Sequence, residues 1–353
     1  MGKDLKDKTL DELDQLVVGL GQKKYLAEYI FNFIHAKDAA DISQITPLSK
    51  VLRGQLTERG FFISQLKTLN KLIDPDGTIK YLFELSDANR IESVLLFGRG
   101  RKTLCLSTQA GCAMNCSFCA TGRIRLRRNL TAAEIVDQVG VIQKEQGGID
   151  NVVYMGMGEP LQNYEAVVKS LRILNHPAGK NIGIRRITVS TCGIVPAIKK
   201  LVDEDIHPRL AISLNAPTDS LRTKLMPINA KYPIKDVLAA AELYEQKAKQ
   251  RVSIEYVMIK GVNDTTLHAQ MLVKLLRRLP CRVNPPHAWR TNLIEFNPHA
   301  HCEFIASGKE RIERFAEILG QAGIKTTVRL KMGQSIKAAC GQLGADWGGK
   351  NEG

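Results

Sequence analysis

The sequence contains no apolar run that approaches the ~20 residues needed to cross a membrane. The opening stretch, MGKDLKDKTLDELDQL, also lacks the apolar core of a secretory signal. We therefore expect a cytoplasmic protein that does not associate with membranes. Cysteines are kept reduced in that compartment, so the sequence does not predict a stabilising disulfide framework.

Acidic residues are few relative to basic ones. The 353 residues include 50 Lys and Arg against 36 Asp and Glu, a formal net charge of +14. Such an excess favours a polyanionic partner, with nucleic acid ahead of an anionic membrane surface. Residues 98–129 contain seven Lys or Arg and no Asp or Glu. Within this stretch, Arg123, Arg125, Arg127 and Arg128 form a basic run that is expected to hold the phosphates of a nucleic acid.

Strand and helix patterns alternate from TLCLST, near residue 103, to a last strand, KTTVRL. This alternation predicts an α/β fold, a partial (β/α) barrel of about six units with its helices outside a parallel sheet. Residues before about 75 carry apolar side chains at helical spacing, and IKYLFELSDANRIESVLLF predicts a β-hairpin. In such barrels the chemistry lies in the loops after the strands, where Glu159, Thr191, Asn215 and Asn297 occur.

Three of the eight cysteines, Cys112, Cys116 and Cys119, are spaced C-x3-C-x2-C. Three thiolates on one loop can hold three irons of a cubane cluster and leave the fourth iron open. A structural zinc site would need a further ligand nearby, usually in a second paired knuckle. No histidine lies between residues 112 and 175, so an iron–sulfur cluster is favoured.

The cluster loop, with Phe118 directly before its third cysteine, resembles that of the radical S-adenosylmethionine (SAM) enzymes. Six further sequence motifs follow this loop along the chain. The loop lies within TLCLSTQAGCAMNCSFCATG, and the six that follow are MGMGEP, RITVSTCGIVPAI, AISLNAP, MPINAKYPI, EYVMIKGVND and AACGQL. Together they resemble the radical-SAM rRNA adenine methyltransferases, the RlmN/Cfr group, from about residue 75 to 345. The resemblance implies a [4Fe–4S] cluster on Cys112, Cys116 and Cys119, and two SAM molecules per turnover.

The resemblance also implies three catalytic residues. Cys340, in KAACGQLG, would carry a methyl group on its sulfur, and its methylene radical would add to adenine. Cys105 would then attack the Cys340 sulfur, form a disulfide and release the methylated base. Glu92 would remove a proton before the protein–RNA link breaks. The residues alone leave open a buried structural cysteine at 340, a core-facing strand cysteine at 105 and an exposed strand carboxylate at 92.

Seven residues are implied as cofactor contacts. They are Gly158, Glu159, Ser190, Ser213, Leu214, Asn215 and Asn297. Glu159 would accept hydrogen bonds from the ammonium of SAM, and Gly158 would let the backbone approach closely. The family often has His at the position of Asn215, and we expect the contact to persist because both side chains can hydrogen-bond.

The implied reaction is methylation of adenine C2 in 23S rRNA, with tRNA as a second candidate substrate. An electron donor such as flavodoxin or ferredoxin would be needed, and we expect a monomer. The expected domains are an RNA-binding helical accessory domain (1–75), a β-hairpin linker (76–97), the core barrel (98–335) and a C-terminal segment (336–353). Three alternatives remain open: C8 methylation of adenine, a radical-SAM enzyme with a non-RNA substrate, and a non-catalytic iron–sulfur RNA-binding protein.

Two stretches, PPHAWR (285–290) and HAHCEF (299–304), depart from the family pattern. His299, His301 and Cys302 have the side chains of metal ligands, but no fourth ligand is nearby in the sequence. A variable loop is therefore favoured, and it leaves the choice of substrate in some doubt. Cys192 and Cys281 are predicted to be structural.

Overall fold

The computed structural model describes residues 3–98, 100–277, 289–300, 302–329 and 331–345. The helices in these residues are α1 (Leu10–Gly19), α2 (Leu26–His35), α3 (Lys50–Glu58), α4 (Ala132–Gln146), α5 (Tyr164–Asn175), α6 (Val195–Val202), α7 (Asp219–Leu225), α8 (Ile234–Ala248), α9 (Thr266–Leu276) and α10 (Lys309–Gln321). None of them is long and apolar enough to span a bilayer.

The strands in the same residues are β1 (Lys67–Ile73), β2 (Ile79–Glu84), β3 (Arg90–Gly98), β4 (Arg101–Cys105), β5 (Gln109–Ala110), β6 (Arg128–Asn129), β7 (Asn151–Tyr154), β8 (Ile187–Thr191), β9 (Arg209–Ser213), β10 (Val252–Met258), β11 (Arg290–Glu295) and β12 (Lys325–Val328).

One ten-stranded sheet runs in the order β1-β2-β3-β4-β7-β8-β9-β10-β11-β12. Its first four strands pair antiparallel, and the pairings from β4 to β12 are all parallel. The two end strands, β1 and β12, lie at opposite edges, so the sheet is open in the part of the chain that is described. The predicted α/β partial barrel is confirmed, because each parallel strand before β12 is connected to the next by a segment that contains the predicted helix.

The helix pattern of the core also forms where the sequence predicts it. Thr131 caps α4, and its side chain and that of Glu134 bond reciprocally to each other's backbone amides. This capping box satisfies two amide groups that a helix start otherwise leaves unpaired. The hairpin of β2 and β3 forms as expected, with Leu82 opposite Glu92.

The N-terminal helices α1 to α3 pack against the core. Lys6 makes a buried ion pair with Asp137 of α4 at 2.5 Å, and Asp137 also accepts the amide of Leu66 at 2.6 Å. The helical pattern ends earlier than the predicted boundary at residue 75, because Lys67–Ile73 form β1 instead. This exposed edge strand is held by pairing with β2, which a local helical pattern cannot reveal. The domain boundaries themselves stay a prediction.

The two faces of the parallel strands differ in polarity. One face is apolar and lies beneath the helices, where Tyr154 contacts Ser170 of α5 and Tyr256 contacts Phe315 of α10. Paired residues of neighbouring strands point to the same side of a sheet. By this register the opposite side, here called the inner face, is mostly polar and includes Thr103, Cys105, Thr188, Ser190, Ser213, Ser253, Glu255 and Asn292. Barrel interiors are usually filled with Val, Ile and Leu, so this polar lining indicates a functional interior.

Candidate active site

The cluster loop follows β5 at the carboxyl end of the parallel sheet. Its backbone is tied down at both sides: Cys112 donates its amide to Ile124, and Ser117 donates its amide to Leu225 at the end of α7. Burial, followed by the charges of neighbouring groups, raises the pKa of the Cys112 thiol to about 12 and of Cys116 well above its ordinary value. The amide of Cys119 donates to the backbone oxygen of Cys116 at 3.1 Å, so the loop turns back on itself between two of the predicted ligands.

These thiols fit a multi-iron cluster better than a single ion. Among the described residues, no three Cys, His, Asp or Glu side chains lie close enough to share one metal ion. A cubane binds each cysteine through a separate iron, so its sulfur ligands stand farther apart than those of a mononuclear site. Burial raises the pKa of each of these thiols, and iron would supply the positive charge that stabilises a thiolate in such a site.

Gly158 and Glu159 form the turn after β7. Gly158 has φ +96°, and a Cβ at this position would lie 2.5 Å from the Cβ of Gln109, so only glycine fits. Glu159 is 4% exposed, and its two carboxylate oxygens accept the amides of Cys192 at 2.8 Å and Leu161 at 3.0 Å. Burial raises the pKa of Glu159 while these amides oppose it. The carboxylate joins the loops after β7 and β8 and keeps further lone pairs for a ligand ammonium.

Ser190 and Ser213 lie on the inner face of β8 and β9, half-buried, whereas Leu214 is completely buried. The Asn215 side chain is already engaged: its oxygen accepts the amide of Val257 at 2.8 Å and its nitrogen points to the Met226 sulfur at 3.2 Å. Asn215 also has φ +58°, a left-handed conformation that Asn tolerates. These contacts give Asn215 a role in fixing the loop, and its contact with a cofactor stays a prediction.

Asn297, in the loop after β11, has one occupied and one unoccupied polar atom. Its amide nitrogen donates to the backbone oxygen of Cys340 at 3.1 Å. Its oxygen is buried and has no hydrogen-bond partner among the described residues. A buried acceptor without a donor costs free energy, about 1–3 kcal/mol. The oxygen therefore suits a ligand that brings a donor, as the predicted cofactor contact requires.

The segment that carries Cys340 lies directly on the cluster loop. Ala120 donates its amide to the oxygen of Gly341 at 2.7 Å, and the Thr121 hydroxyl donates to the oxygen of Leu343 at 2.8 Å. The segment is also held from the β2–β3 side, where Gly344 donates its amide to Glu92 at 2.8 Å. The fold thus places Cys340 beside ligands that are more than two hundred residues away in sequence.

Cys105 and Cys340 occupy the same region of the site. Cys105 ends β4 and is 8% exposed, whereas Cys340 is exposed to solvent. Burial and then the nearby Cys340 raise the pKa of Cys105 well above its ordinary value. Both cysteines are free thiols here, as are the others in the described residues, so the transient disulfide between them stays a prediction.

Comparison with known proteins places this site in a family. Residues 106–271 match the profile of the radical SAM superfamily, and residues 3–61 match the ribosomal RNA large subunit methyltransferase N-terminal domain. A probable dual-specificity RNA methyltransferase RlmN from Thermoanaerobacter sp. strain X514 is 44% identical over 96% of this chain and 97% of its own length. A dual-specificity RNA methyltransferase RlmN from Geotalea uraniireducens is 43% identical over 96% of each chain.

The chain belongs to the RlmN family. The crystal structure of a radical SAM methyltransferase from Sphaerobacter thermophilus agrees, with a TM-score of 0.89 and 44% identity over 98% of this chain and 100% of that one. Membership in the radical SAM superfamily implies a [4Fe–4S] cluster and SAM as cofactors.

The RlmN-family carboxylate predicted as a base, Glu92, is buried on the inner side of β3. It lies 3.2 Å from Lys80 on β2, and the side chains of both residues are 5% exposed. Its backbone amide points to the sulfur of Met157 at 3.4 Å, and its backbone oxygen accepts from Ser107 at 2.6 Å. The alternative left open by the sequence, that Glu92 is an exposed strand carboxylate, is therefore wrong.

One arginine of the predicted RNA-binding run has another role. Arg128 pairs with Asp87 at 2.5 Å and with Glu134 at 2.7 Å, and these carboxylates raise its pKa. Its expected phosphate contact is therefore corrected: its guanidinium closes a structural ion-pair network between the hairpin and α4. Arg123, Arg125 and Arg127 are exposed and form no ion pair within the described residues. They remain predicted RNA contacts for this RlmN-family protein.

Sequence reasoning missed a buried cation beside the cluster loop. Arg222 of α7 is completely buried and donates to the backbone oxygens of Cys192, Ser213 and Leu214 and to the side chain of Asn229. Burial lowers its pKa, and the charge of Cys116 opposes that shift. Arg222 lies four residues before the motif MPINAKYPI, but nothing local in that stretch shows which loops the arginine joins.

The two residues considered as alternative metal ligands brace the cluster loop instead. The Cys302 thiol donates to the oxygen of Ser117 at 3.5 Å, and His299 Nε2 lies 3.4 Å from the oxygen of Phe118. Neither belongs to a group able to hold a metal ion among the described residues. Three other predictions lie outside the described residues: the third candidate ligand His301, residues 285–288 of the stretch that departs from the family pattern, and Cys281.

Proposed function

We propose that this protein methylates C2 of adenine in 23S rRNA, and in tRNA, with Cys340 as the methyl carrier. The observation that supports the proposal most directly is the docking of residues 341–343 on the cluster loop. Relatives over nearly the whole chain are named dual-specificity RNA methyltransferases. Cys112, Cys116 and Cys119 would hold the cluster, and Gly158, Glu159, Ser190, Ser213, Leu214, Asn215 and Asn297 would surround SAM.

When bound, the cluster and SAM supply the electron, the methyl group and the radical that this chemistry needs. Adenine C2 is an aromatic C–H carbon and a poor nucleophile, so ordinary polar methyl transfer to it would stall. Cys340 would receive a methyl group and present it to the base, and its exposure beside the cluster loop supports this role. Its backbone is fixed by Asn297, which limits how far the sulfur can move.

Release of the product would use the two other predicted residues. Glu92 would take the proton lost when the base becomes aromatic again, and Lys80 beside it would stabilise the carboxylate. The Cys105 sulfur would attack the Cys340 sulfur and form a disulfide, the bond from Cys340 to the methylene carbon would break, and that carbon would take a proton to become the methyl group on the base. An external reductant then reopens the disulfide. The high pKa of Cys105 means that its thiol must lose its proton during this attack.

RNA would be held by groups outside the barrel. Arg123, Arg125 and Arg127 are exposed next to the cluster loop and suit backbone phosphates. A stacked adenine must leave its neighbours to reach a pocket, and phosphate contacts can hold the strand while it does so. The N-terminal helices are proposed to bind RNA as well, since residues 3–61 match an rRNA methyltransferase domain.

The proposal is tested by mapping methyl groups in RNA from a deletion strain complemented with wild type or Cys340→Ala. We expect 2-methyladenosine in rRNA and tRNA with wild type and none with the variant. Cys302→Ala is the matched cysteine control and should retain the modification. Finding 8-methyladenosine would move the assignment to C8, and finding a methylated adenine with Cys340→Ala would contradict the proposed carrier.

A further inference from the structure

The amino ends of the parallel strands carry a group of arginines that the proposed reaction does not use. Arg101 begins β4, Arg209 begins β9, Arg290 begins β11, and Arg251 directly precedes β10. We call these four residues the arginine ring. Lys325, level with Arg290 at the start of β12, extends it. Because parallel strands begin at the same edge of a sheet, the ring lies at the end of the barrel opposite the cluster loop.

The register places the ring on the inner face. Leu210 pairs with Val252, so the preceding residues Arg209 and Arg251 are neighbours. Ser253, on the same face as Arg251, pairs with Arg290. Arg209 shares its face with Ser213, four residues or about 13 Å farther along the strand at ~3.3 Å per residue. The ring is thus well separated from the predicted cofactor contacts.

The guanidinium groups of the ring are close enough to affect one another. Burial first, and then the charges of Arg251, Arg290, Arg101 and Arg185, lower the pKa of Arg209. Arg209, Arg251 and Arg290 are each half-buried, so solvent screens their repulsion less than at an open surface. These long side chains start from neighbouring strands on one face of the sheet, so their positive charges share one region.

No carboxylate neutralises this charge in the described residues. None of the four arginines forms an ion pair within 4.0 Å there, whereas eighteen other pairs are formed. The acids nearest to Arg209 in sequence, Glu204 and Asp205, pair with Arg172 of α5. Asp150, at the same end, accepts the backbone amide of Lys102 at 2.8 Å.

We propose that the arginine ring binds phosphate groups at the amino end of the barrel. The guanidinium fork matches two phosphate oxygens at once, and several forks on one face of a sheet suit one or two phosphates. The half-buried position favours such a small group over the broad surface of an acidic protein. The phosphate can belong to a free ion such as pyrophosphate or to an RNA backbone. The proposal does not depend on the methyltransferase assignment.

The test uses the full-length protein and inorganic pyrophosphate at low ionic strength, with affinity measured by calorimetry. Wild type should bind, and Arg209→Gln/Arg251→Gln should bind at least tenfold more weakly. Arg314→Gln, which removes an exposed arginine of α10 that pairs with Glu317, is the matched control and should change affinity less than twofold. The double variant should unfold at a temperature no lower than wild type, because it loses mutual repulsion; this measurement separates lost binding from misfolding.

A parallel titration with single-stranded RNA distinguishes the two phosphate sources. If wild type binds pyrophosphate and the double variant binds it more weakly, a free phosphate is the ligand. If only the affinity for RNA falls in the double variant, an RNA backbone is the ligand. Either result supports the site. Equal binding of both probes by wild type and the double variant would overturn the proposal. The proposal would also be overturned if the double variant lost only the binding of an acidic protein such as flavodoxin, because the ring would then be a protein docking surface.

Discussion

The two ends of the parallel sheet have opposite chemistry, although the same strands run through both. At the carboxyl ends lie thiols, a carboxylate and amides, among them Cys105, Glu159 and Asn297. At the amino ends lie the four arginines of the ring and Lys325.

The ends also differ in how their polar groups are satisfied. Glu159 and Asn215 at the carboxyl end are hydrogen-bonded to backbone amides and hold the loops in place. The ring arginines at the other end have no carboxylate partner in the described residues. Groups that position a cofactor must themselves be fixed by the protein, whereas cations that lack protein partners are suited to an incoming anion. Four predictions test this contrast, beginning with the largest expected effect.

Cys112→Ala should abolish both the cluster and methyl transfer at the carboxyl end. Two remaining cysteines cannot hold three irons, so the iron content per chain and the visible absorbance should collapse. Cys302→Ala should retain wild-type iron content, since its thiol contacts the backbone oxygen of Ser117 and is not a predicted iron ligand. Full iron content in Cys112→Ala would show that the ligands have been misassigned.

Cys105→Ala should block release of the product rather than its formation. Methylated RNA should fall steeply, and a covalent RNA adduct on Cys340 should accumulate, visible as a slower band on denaturing gels. The double variant Cys105→Ala/Cys340→Ala should form no adduct. Absence of an adduct in the single variant would remove Cys105 from the proposed release step.

Glu92→Gln should lower stability as well as slow turnover. It leaves the Lys80 charge buried without its partner, which costs about 3 kcal/mol in the free energy of unfolding. Denaturant unfolding would measure that loss. Lys80→Met/Glu92→Gln should recover part of the stability but not the activity. Equal stability of the two variants would show that loss of the ion pair does not cause the fall in the free energy of unfolding.

The smallest effect is expected at the amino end. Raising NaCl from ~0.01 M to ~0.15 M should increase the free energy of unfolding of wild type by about 0.5 kcal/mol, because salt screens the repulsion within the ring. Arg209→Gln/Arg251→Gln should lose most of this salt dependence. An unchanged dependence in that variant would mean that the ring is already neutralised.

Local sequence patterns gave most of the core elements. The predicted helix YEAVVKSLRILN is α5 without a change of boundary, and Thr131 and Glu134 form the predicted capping box. Local patterns did not reveal β1, whose exposed strand is held only by β2. They also missed α7, which begins at the Thr218 cap within a stretch that carries several turn-forming residues.

The candidate site likewise has parts that the sequence predicted and parts that it could not. The cysteine spacing and the order of the motifs identified the family and its cofactors without coordinates. Sequence could not show that Arg128 is used in an ion-pair network, because its partner Asp87 lies in the hairpin. Nor could it show that the side-chain oxygen of Asn215 accepts the amide of Val257, or that Arg222 joins three loops.

The sequence by itself determined the three-cysteine loop, the alternation of strands and helices, and the identity of the residues at each strand end, since these depend on spacing along the chain. Only the tertiary structure decided which of these residues meet. Cys340 reaches the cluster loop because its segment is held by Ala120, Thr121 and Glu92. The arginine ring forms because strands distant in sequence begin at one edge of the same sheet, and no local pattern encodes that register.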